Sequence, residues 1–387
     1  MTSVRSLSLV EGGKPVDPAE PTTPDRSEAE VYLAPQWKLV WWRFRRHKLA
    51  LISLVIVILA YLGAATCEFW APTGQDSYRA SLSYAPPQPV QFGWDGGPQL
   101  YVHGYRSQVD PLTLARTFTP DESIKIGLQF FARGEPYRLF GLIPSDRHFF
   151  GPVDATQPFY LIGADEQGRD VLSRIIYGSR ISLSIGLFGI LIGLVLGVLL
   201  GGLSGYLGGT TDSIIQRGIE FIMSIPTLPL WLGLAAAVPA DWGPLETYFA
   251  ISLILSLIGW TGLARVVRGK FLELRTEDYV LAAEFDGVGR LRTIVRHLLP
   301  GMTSYIIASL TLSIPGMILA ETALSFLGLG LRAPVVSWGV LLQEAQNIRV
   351  LASAPWLLLP GLAVVIAVMA LNFVGDGLRD AADPYEN

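Results

Sequence analysis

Six stretches of this chain are apolar for long enough to cross a lipid bilayer, and nothing constrains its fold more. A bilayer core takes about 20 apolar residues of helix. Windows near 49–69, 181–207, 214–238, 248–266, 303–327 and 356–375 meet that length. Lipid offers no partner to backbone N–H and C=O groups, so each window must satisfy them internally as a helix. The chain is 50% hydrophobic and 16% charged, against about 25% charged in soluble domains. The expected fold class is an all-α polytopic membrane protein with six transmembrane helices.

Six crossings place both termini on one side. Lys38, Arg43, Arg45, Arg46, Lys48, Arg217, Arg379 and seven basic residues between 265 and 300 fall on that side; the short loops opposite hold Arg332 and Arg349. The excess of Lys and Arg marks the cytoplasm, so both termini and the 265–300 loop are expected there. The first window is too long for a signal-peptide core and has no convincing cleavage site, so it is expected to stay as an anchor. Cys67 reads as a small apolar residue at its end rather than a lipidation site. Residues 1–36 are polar and broken by Pro15, Pro18, Pro21, Pro24 and Pro35; they are expected to form a disordered tail. An interfacial segment with Trp37, Trp41 and Trp42 leads into the first span, together covering 37–69. A small irregular or β-containing extracytoplasmic insert follows over 70–176. "QLYVHGYRSQV" within it alternates as a strand does. A five-helix core over 177–387 completes the chain. His103 and His148 in the insert lack a partner at metal-ligand spacing.

Within the core, Gly189, Gly193, Gly197, Gly201 and Gly205 recur every four residues. A step of four advances about 400° around a helix, so they form one slanting stripe that lets a neighbouring helix approach closely. The stripe serves packing, or a surface that slides during gating. Pro226 and Pro229 in the third window and Pro315 in the fifth free backbone carbonyls at membrane depth, which is tolerated beside protein or a water-lined cavity. Glu321 lies deep toward the outer end of the fifth window. Such an acid either faces a pathway or caps the glycine-rich turn that follows it.

Net charge is −4, with no basic footprint for nucleic acid. The sequence holds no G-x-x-x-x-G-K-[ST], H-E-x-x-H or G-x-S-x-G motif, and none of its four histidines lies in a span. A transport subunit is therefore expected, with a membrane enzyme using carboxylates alone as the alternative.

The segment "YVLAAEFDGVGRLRTIVRHLLP", Tyr279 to Pro300, joins the fourth and fifth windows. Thr276 suits a helix N-cap, with Glu277 and Asp278 in the first turn. That helix should stop at Gly287, and a second should run from about Arg290 to Leu299 and end at Pro300. Tyr279, Ala282, Ala283 and Asp286 share one face by their spacing. Its two alanines make it low and flat, suited to another protein's groove with nearby arginines such as Arg296 adding charge-assisted contacts. A helix resting on its own spans fits equally.

This segment resembles the coupling motif of ABC importer permeases, here Leu281-Ala282-Ala283, Gly287 and Leu299-Pro300. "GADEQGRDVLSRIIYGSRISLSIG", "ETALSFLGLGLRAPVVSWGVLL" and "NFVGDGLRDAADP" resemble the dipeptide, oligopeptide and nickel branch of that family. The four motifs cover about 160–384. The resemblance implies a type I ABC importer permease fold in the bacterial inner membrane. It implies a second homologous permease, two separate ATPase subunits and an extracytoplasmic solute-binding protein as partners, with ATP and Mg held by the ATPases and no cofactor in this chain. It implies that segment 276–300 couples to the ATPases through Tyr279, Ala282, Ala283, Gly287, Arg296 and Pro300. Peptides are the expected cargo, with nickel complexes or oligosaccharides as other family cargoes. Two departures stand out. Leu281 occupies the motif's glutamate position, and the insert is longer than in typical members, either to shape a docking surface or as an ornament.

Overall fold

The structure is a computed structural model, and it describes residues 10–11, 14–15, 36–94, 98–109, 111, 116–239 and 241–382. Of the N-terminal tail it describes only Val10–Glu11 and Lys14–Pro15, which pair antiparallel; the rest of the expected disordered tail lies outside the described residues. Helix α1 (Gln36–Phe44) buries Phe44 against Ala50, Val374 and Ala381. The first span, α2 (Lys48–Ala65), starts at His47, whose Nδ1 accepts the Ala50 N–H at 3.1 Å. A one-turn helix α3 (Cys67–Trp70) extends it, with Cys67 fully buried.

The core helices are α4 (Val171–Leu207), α5 (Gly209–Ser224), α6 (Thr227–Ala236), α7 (Pro244–Leu274), α10 (Leu299–Phe326) and α12 (Leu359–Ala382). Among the described residues five helices are long and apolar enough to span a membrane, and the bent pair α5–α6 makes a sixth crossing. The third window is thus not one helix. It breaks between Ser224 and Thr227 with a bend of 85°. Pro226 has no N–H to continue the ladder, and it forces the residue before it out of the helical region. Pro229 falls in the first turn of α6, where a missing N–H is harmless. Pro315 behaves differently, because α10 runs through it without interruption.

Tyr248 at the start of α7 hydrogen-bonds Ser184 on α4, while Phe271 near its end lies beside Gly205. The bundle therefore has two ends: an insert face, where α4 begins, and a hairpin face, where α7 ends. Ala235 packs with Ile185, Tyr248 and Leu331, so the broken third crossing still carries the chain from one face to the other. Arg180 of α4 ties down the end of the first span. It donates to the Ala64 and Ala65 carbonyls at 3.1 and 3.0 Å and grips both Glu68 oxygens at 2.7 Å. A cation there meets the negative end of a helix.

The insert is more regular than expected. Strands β1 (Gln91–Trp94), β2 (Pro98–Val109), β3 (Arg116–Leu139) and β4 (Ile143–Pro152) form an antiparallel meander in chain order. β2 contains the alternating stretch read from the sequence. β3 is 24 residues long; its first half pairs with β2 and its second with β4. One face buries Val102, Ile126, Leu128 and Phe159. His148 is enclosed, its Nδ1 at 2.6 Å from the Ala71 carbonyl and its Nε2 at 3.1 Å from that of Glu135. It braces the sheet against the end of the first span. Among the described residues no group of three His, Cys, Asp or Glu is placed to hold a metal ion.

Candidate functional site

The segment joining the fourth and fifth crossings folds as a helical hairpin. Helix α8 (Asp278–Phe285) follows α7 after a short turn. Thr276 does not cap it: its hydroxyl donates back to the Glu273 carbonyl at 2.9 Å, and the first helical N–H groups reach the Glu277 carbonyl instead. α8 ends as the sequence suggests. Gly287 has φ +73, and the Val288 N–H returns to the Ala283 carbonyl at 3.0 Å. This is a Schellman end, which needs the left-handed conformation. Nothing lies within 4 Å of where a Cβ would stand at Gly287, so its conformation, not space, calls for glycine.

The second arm corrects the expectation for Pro300. Helix α9 (Arg290–Thr293) passes through a π-turn at Ile294–Leu298 straight into α10. The Leu299 N–H reaches the Ile294 carbonyl five residues back. Pro300 does not stop a helix; it occupies the first turn of α10, the place where proline is best tolerated. The hairpin's second arm is therefore an extension of the fifth span.

The expected contact face also divides. Ala283 is buried with Val280, whose neighbours are Phe271, Leu298 and Met302 of the chain's own helices. Tyr279 and Ala282 point outward, joined by Leu281 and by Phe285, which is 90% exposed. Arg296 and Pro300 are exposed on the second arm. Phe285 was not singled out in the sequence, yet an aromatic just before a helix-ending glycine is a readable signal for an outward anchor.

Four glycines of the stripe on α4, Gly193, Gly197, Gly201 and Gly205, face α7, while Gly189 faces Met317 of α10. A Cβ at Gly201 would stand 2.8 Å from the Ala264 Cα, and one at Gly205 would stand 2.7 Å from the Phe271 Cβ. At Gly193 the nearest atom is the Trp260 nitrogen, 3.9 Å away. The stripe thus sets how closely the second and fourth crossings meet, most tightly toward the hairpin face. There Asp212 of α5 takes both Arg268 Nε and Nη2 at 2.5 and 2.6 Å, and accepts from Ser204. This clamp joins α4, α5 and α7. It went unread because Asp212 and Arg268 are 56 residues apart.

Glu321 is fully buried in α10. One oxygen accepts the Ser325 and Ser337 hydroxyls at 2.9 and 2.8 Å, and the other accepts Ser182 at 3.3 Å. Each serine in turn accepts a backbone N–H: Ser325 from Leu331, Ser337 from Val340 and Ser182 from Trp338. The carboxylate thus caps the following loop, but only through these three hydroxyls. It locks the second crossing, the fifth crossing and helix α11 (Trp338–Gln343) together at the insert face. Pro226 and Pro229 lie apart from it, exposed at the α5–α6 break.

Beside this hub is an ionic cluster. Arg169 meets Asp165 at 2.6 Å and Glu344 at 3.4 Å, and Arg174 meets Asp165 at 3.3 Å. Burial, reinforced by Asp165, pushes the Glu344 carboxyl up to about 7 against the pull of Arg174 and Arg169. Asp170, the N-cap of α4, is pushed up to about 6 by its burial, against the hydrogen bonds from Ser173.

A crossing pattern of this kind, with a charged hairpin on one face and a locked loop on the other, is compatible with a membrane transport subunit. Residues 182–385 match the family described as binding-protein-dependent transport system inner membrane component. Residues 35–87 match the N-terminal TM domain of oligopeptide transport permease C. The chain belongs to the former family and is the permease component of an ABC importer. It is 37% identical over 244 residues to the oligopeptide transport system permease protein OppC of Haemophilus influenzae, spanning 62% of this chain and 76% of that one. It is 39% identical over 245 residues to the dipeptide transport system permease protein DppC of Bacillus subtilis, spanning 63% and 70%. Against OppC of Escherichia coli K12 the identity is 40% over 228 residues, 59% and 73% of the two chains. A solved structure of the MetNI methionine ABC transporter in an inward facing conformation aligns with a TM-score of 0.42 at 17% identity, covering 54% of this chain and 97% of that one.

Proposed function

We propose that this chain imports peptides or similar small solutes, forming the pathway with a second, homologous permease. Two separate ATPase subunits dock on the hairpin face, and an extracytoplasmic binding protein delivers cargo at the insert face. The basic residues around the hairpin support a cytoplasmic position for it and for both termini. The peptide cargo rests on the relatives named above.

One observation carries the reading. The hairpin exposes Tyr279, Ala282 and Phe285 away from its own bundle while its second arm is continuous with the fifth crossing. An exposed aromatic at the end of a short helix is a typical anchor for a partner's pocket. Force applied there passes directly into α10 and on to the Glu321 hub. The broken third crossing, with Pro226 and Pro229 exposed, is the expected place for the second permease or the pathway, since bare backbone at membrane depth needs protein or water beside it. The insert sheet supplies docking surface for the binding protein.

The test is to purify the chain from its native membrane with its companions and assay nucleotide hydrolysis. An ATPase that co-purifies with the native chain and is lost from Phe285→Asp supports the reading. A native preparation without hydrolase, or labelling of residue 285 from the outside of intact cells, overturns it.

A further inference from the structure

Where the insert meets the end of the first span, five aromatic rings gather at the margin of the sheet's core, touching it where Phe130 lies 5.2 Å from Phe150. Phe149 of β4 lies 4.8 Å from Trp70 and 6.0 Å from Phe69, ring centre to ring centre. Phe130 and Phe131 of β3 lie 5.6 and 6.2 Å from the same Phe149. Burial does not explain the group, since Phe130, Phe131 and Trp70 are 57%, 55% and 42% exposed. The sheet's apolar core is built instead from Val102, Ile126, Leu128 and Phe159.

The backbone is bent to make this patch. Successive residues of a strand point to opposite faces, yet Phe130 and Phe131 are both exposed. Phe131 has φ +56, a conformation that L-residues other than Gly, Asn and Asp seldom adopt. Strain of this kind persists where surroundings compensate for it, and water around a phenyl ring does not. Two exposed arginines flank the rings: Arg133, and Arg147, which donates to the Phe131 carbonyl at 3.3 Å.

What lies beside the rings follows from their place in the chain. Trp70 is five residues past the end of α2, which spans the membrane. Its indole N–H is satisfied by Thr66 at 2.9 Å, and Thr66 itself bonds the Leu62 carbonyl of that span. Rings packed against Trp70 and Phe69, tilted or edge-on, are therefore at the depth where the first span leaves the lipid. Aromatic rings concentrate in that layer, and basic side chains there reach lipid phosphates. We propose that the sheet rests on the bilayer through this aromatic foot. Phe130, Phe131 and Trp70 are immersed at the headgroup boundary, and Arg133 and Arg147 pair with lipid phosphate. The insert is then held at a fixed height over the bundle, independently of what docks on its far side.

The test uses the assembled transporter in lipid nanodiscs, with buried Cys67 replaced by alanine. A spin label is attached at Phe131→Cys, at Phe130→Cys as a second site, and at Trp94→Cys, which is 77% exposed at the other end of the sheet. The expected result is a ratio of oxygen to water-soluble nickel-chelate accessibility severalfold higher at 130 and 131 than at 94. Assembly of each variant is checked by co-purification of the companion subunits. Equal nickel access at 131 and 94 overturns the proposal. So does shielding from both reagents, which marks a protein contact, or shielding only when a binding protein is added.

Discussion

Replacing Glu321 with leucine removes the acceptor for three buried hydroxyls at once, those of Ser182, Ser325 and Ser337. Hydrogen bonds between membrane helices contribute about 0.6 kcal/mol each on average and up to about 1.7. The loss of three gives about 2–5 kcal/mol. Glutamine should behave otherwise. Its carbonyl oxygen can keep Ser325 and Ser337, which share one oxygen of Glu321. Its amide then faces Ser182, whose own hydrogen loses its acceptor, for about 1 kcal/mol. Glu321→Leu should thus destabilise severalfold more than Glu321→Gln, and the damage should appear first in the loop 331–340 that the serines hold. Thermal unfolding in nanodiscs measures the first, and protease or label access to the loop measures the second. Double-mutant cycles with Ser182→Ala and Ser337→Ala isolate the pair terms. If the leucine variant melts with the wild type, or the cycles show no coupling, the carboxylate is not what organises the serines. Because the hub joins two crossings to a loop at the insert face, loosening it is also expected to change transport rate.

Further expectations follow from the hairpin, the glycine seam, the ionic cluster and the insert. Ala282→Trp should assemble normally yet uncouple ATP hydrolysis from uptake, whereas Ala283→Trp, buried against the chain's own helices, should lower thermal stability by about 1–3 kcal/mol through overpacking; the reverse pattern would place the docking face on the other side of α8. Gly201→Ala should destabilise, because its Cβ meets the Ala264 backbone, while Gly193→Ala should be neutral or gain up to about 1 kcal/mol of helix propensity; paired melting curves decide it. Glu344, held near 7, keeps in the folded state a proton that the unfolded chain releases near 4.5. Its contribution is therefore complete below about pH 4.5 and is lost as pH rises through 7, by up to about 3 kcal/mol; Glu344→Gln should flatten that part of the stability–pH curve. Deleting β1–β4 should weaken stimulation of hydrolysis by the binding protein, and unchanged stimulation would remove the docking role given to the insert.

The crossings were legible because hydrocarbon length and backbone satisfaction leave a helix no alternative, and five of the six windows are single helices. The sixth shows the limit. "SIPTLPLWL" signals a disturbance, but whether proline bends, breaks or passes unnoticed depends on neighbours, as the contrast between Pro226 and Pro315 shows. Gly287 was readable because its requirement is local and conformational. The fate of Pro300 was not, because proline both ends helices and begins them, and only the π-turn before it decides which. The outward direction of Ala282 and the inward direction of Ala283 depend on which way the hairpin folds against the bundle, a tertiary fact. Glu321 stood out as a lone acid. Its serine partners did not, since Ser182 and Ser337 lie 139 and 16 residues away in sequence.

The π-turn at Ile294–Leu298 gives the fifth crossing a rotational setting. A π-turn carries one residue more than the α-helix it interrupts, and each residue turns a helix by about 100°. Removing one residue there would leave a regular helix, but would pull α8 out of register with the Phe271, Leu298 and Met302 cluster on which Val280 packs. It would swing α8 by about 100° around the axis of α10, aiming Phe285 and Tyr279 away from whatever sits below. On the proposed reading, docking of an ATPase at the hairpin would rest on angular phase as well as on surface chemistry. A single-residue deletion in that turn is therefore expected to turn Phe285 and Tyr279 to a new bearing while exposing Val280 and Ala283.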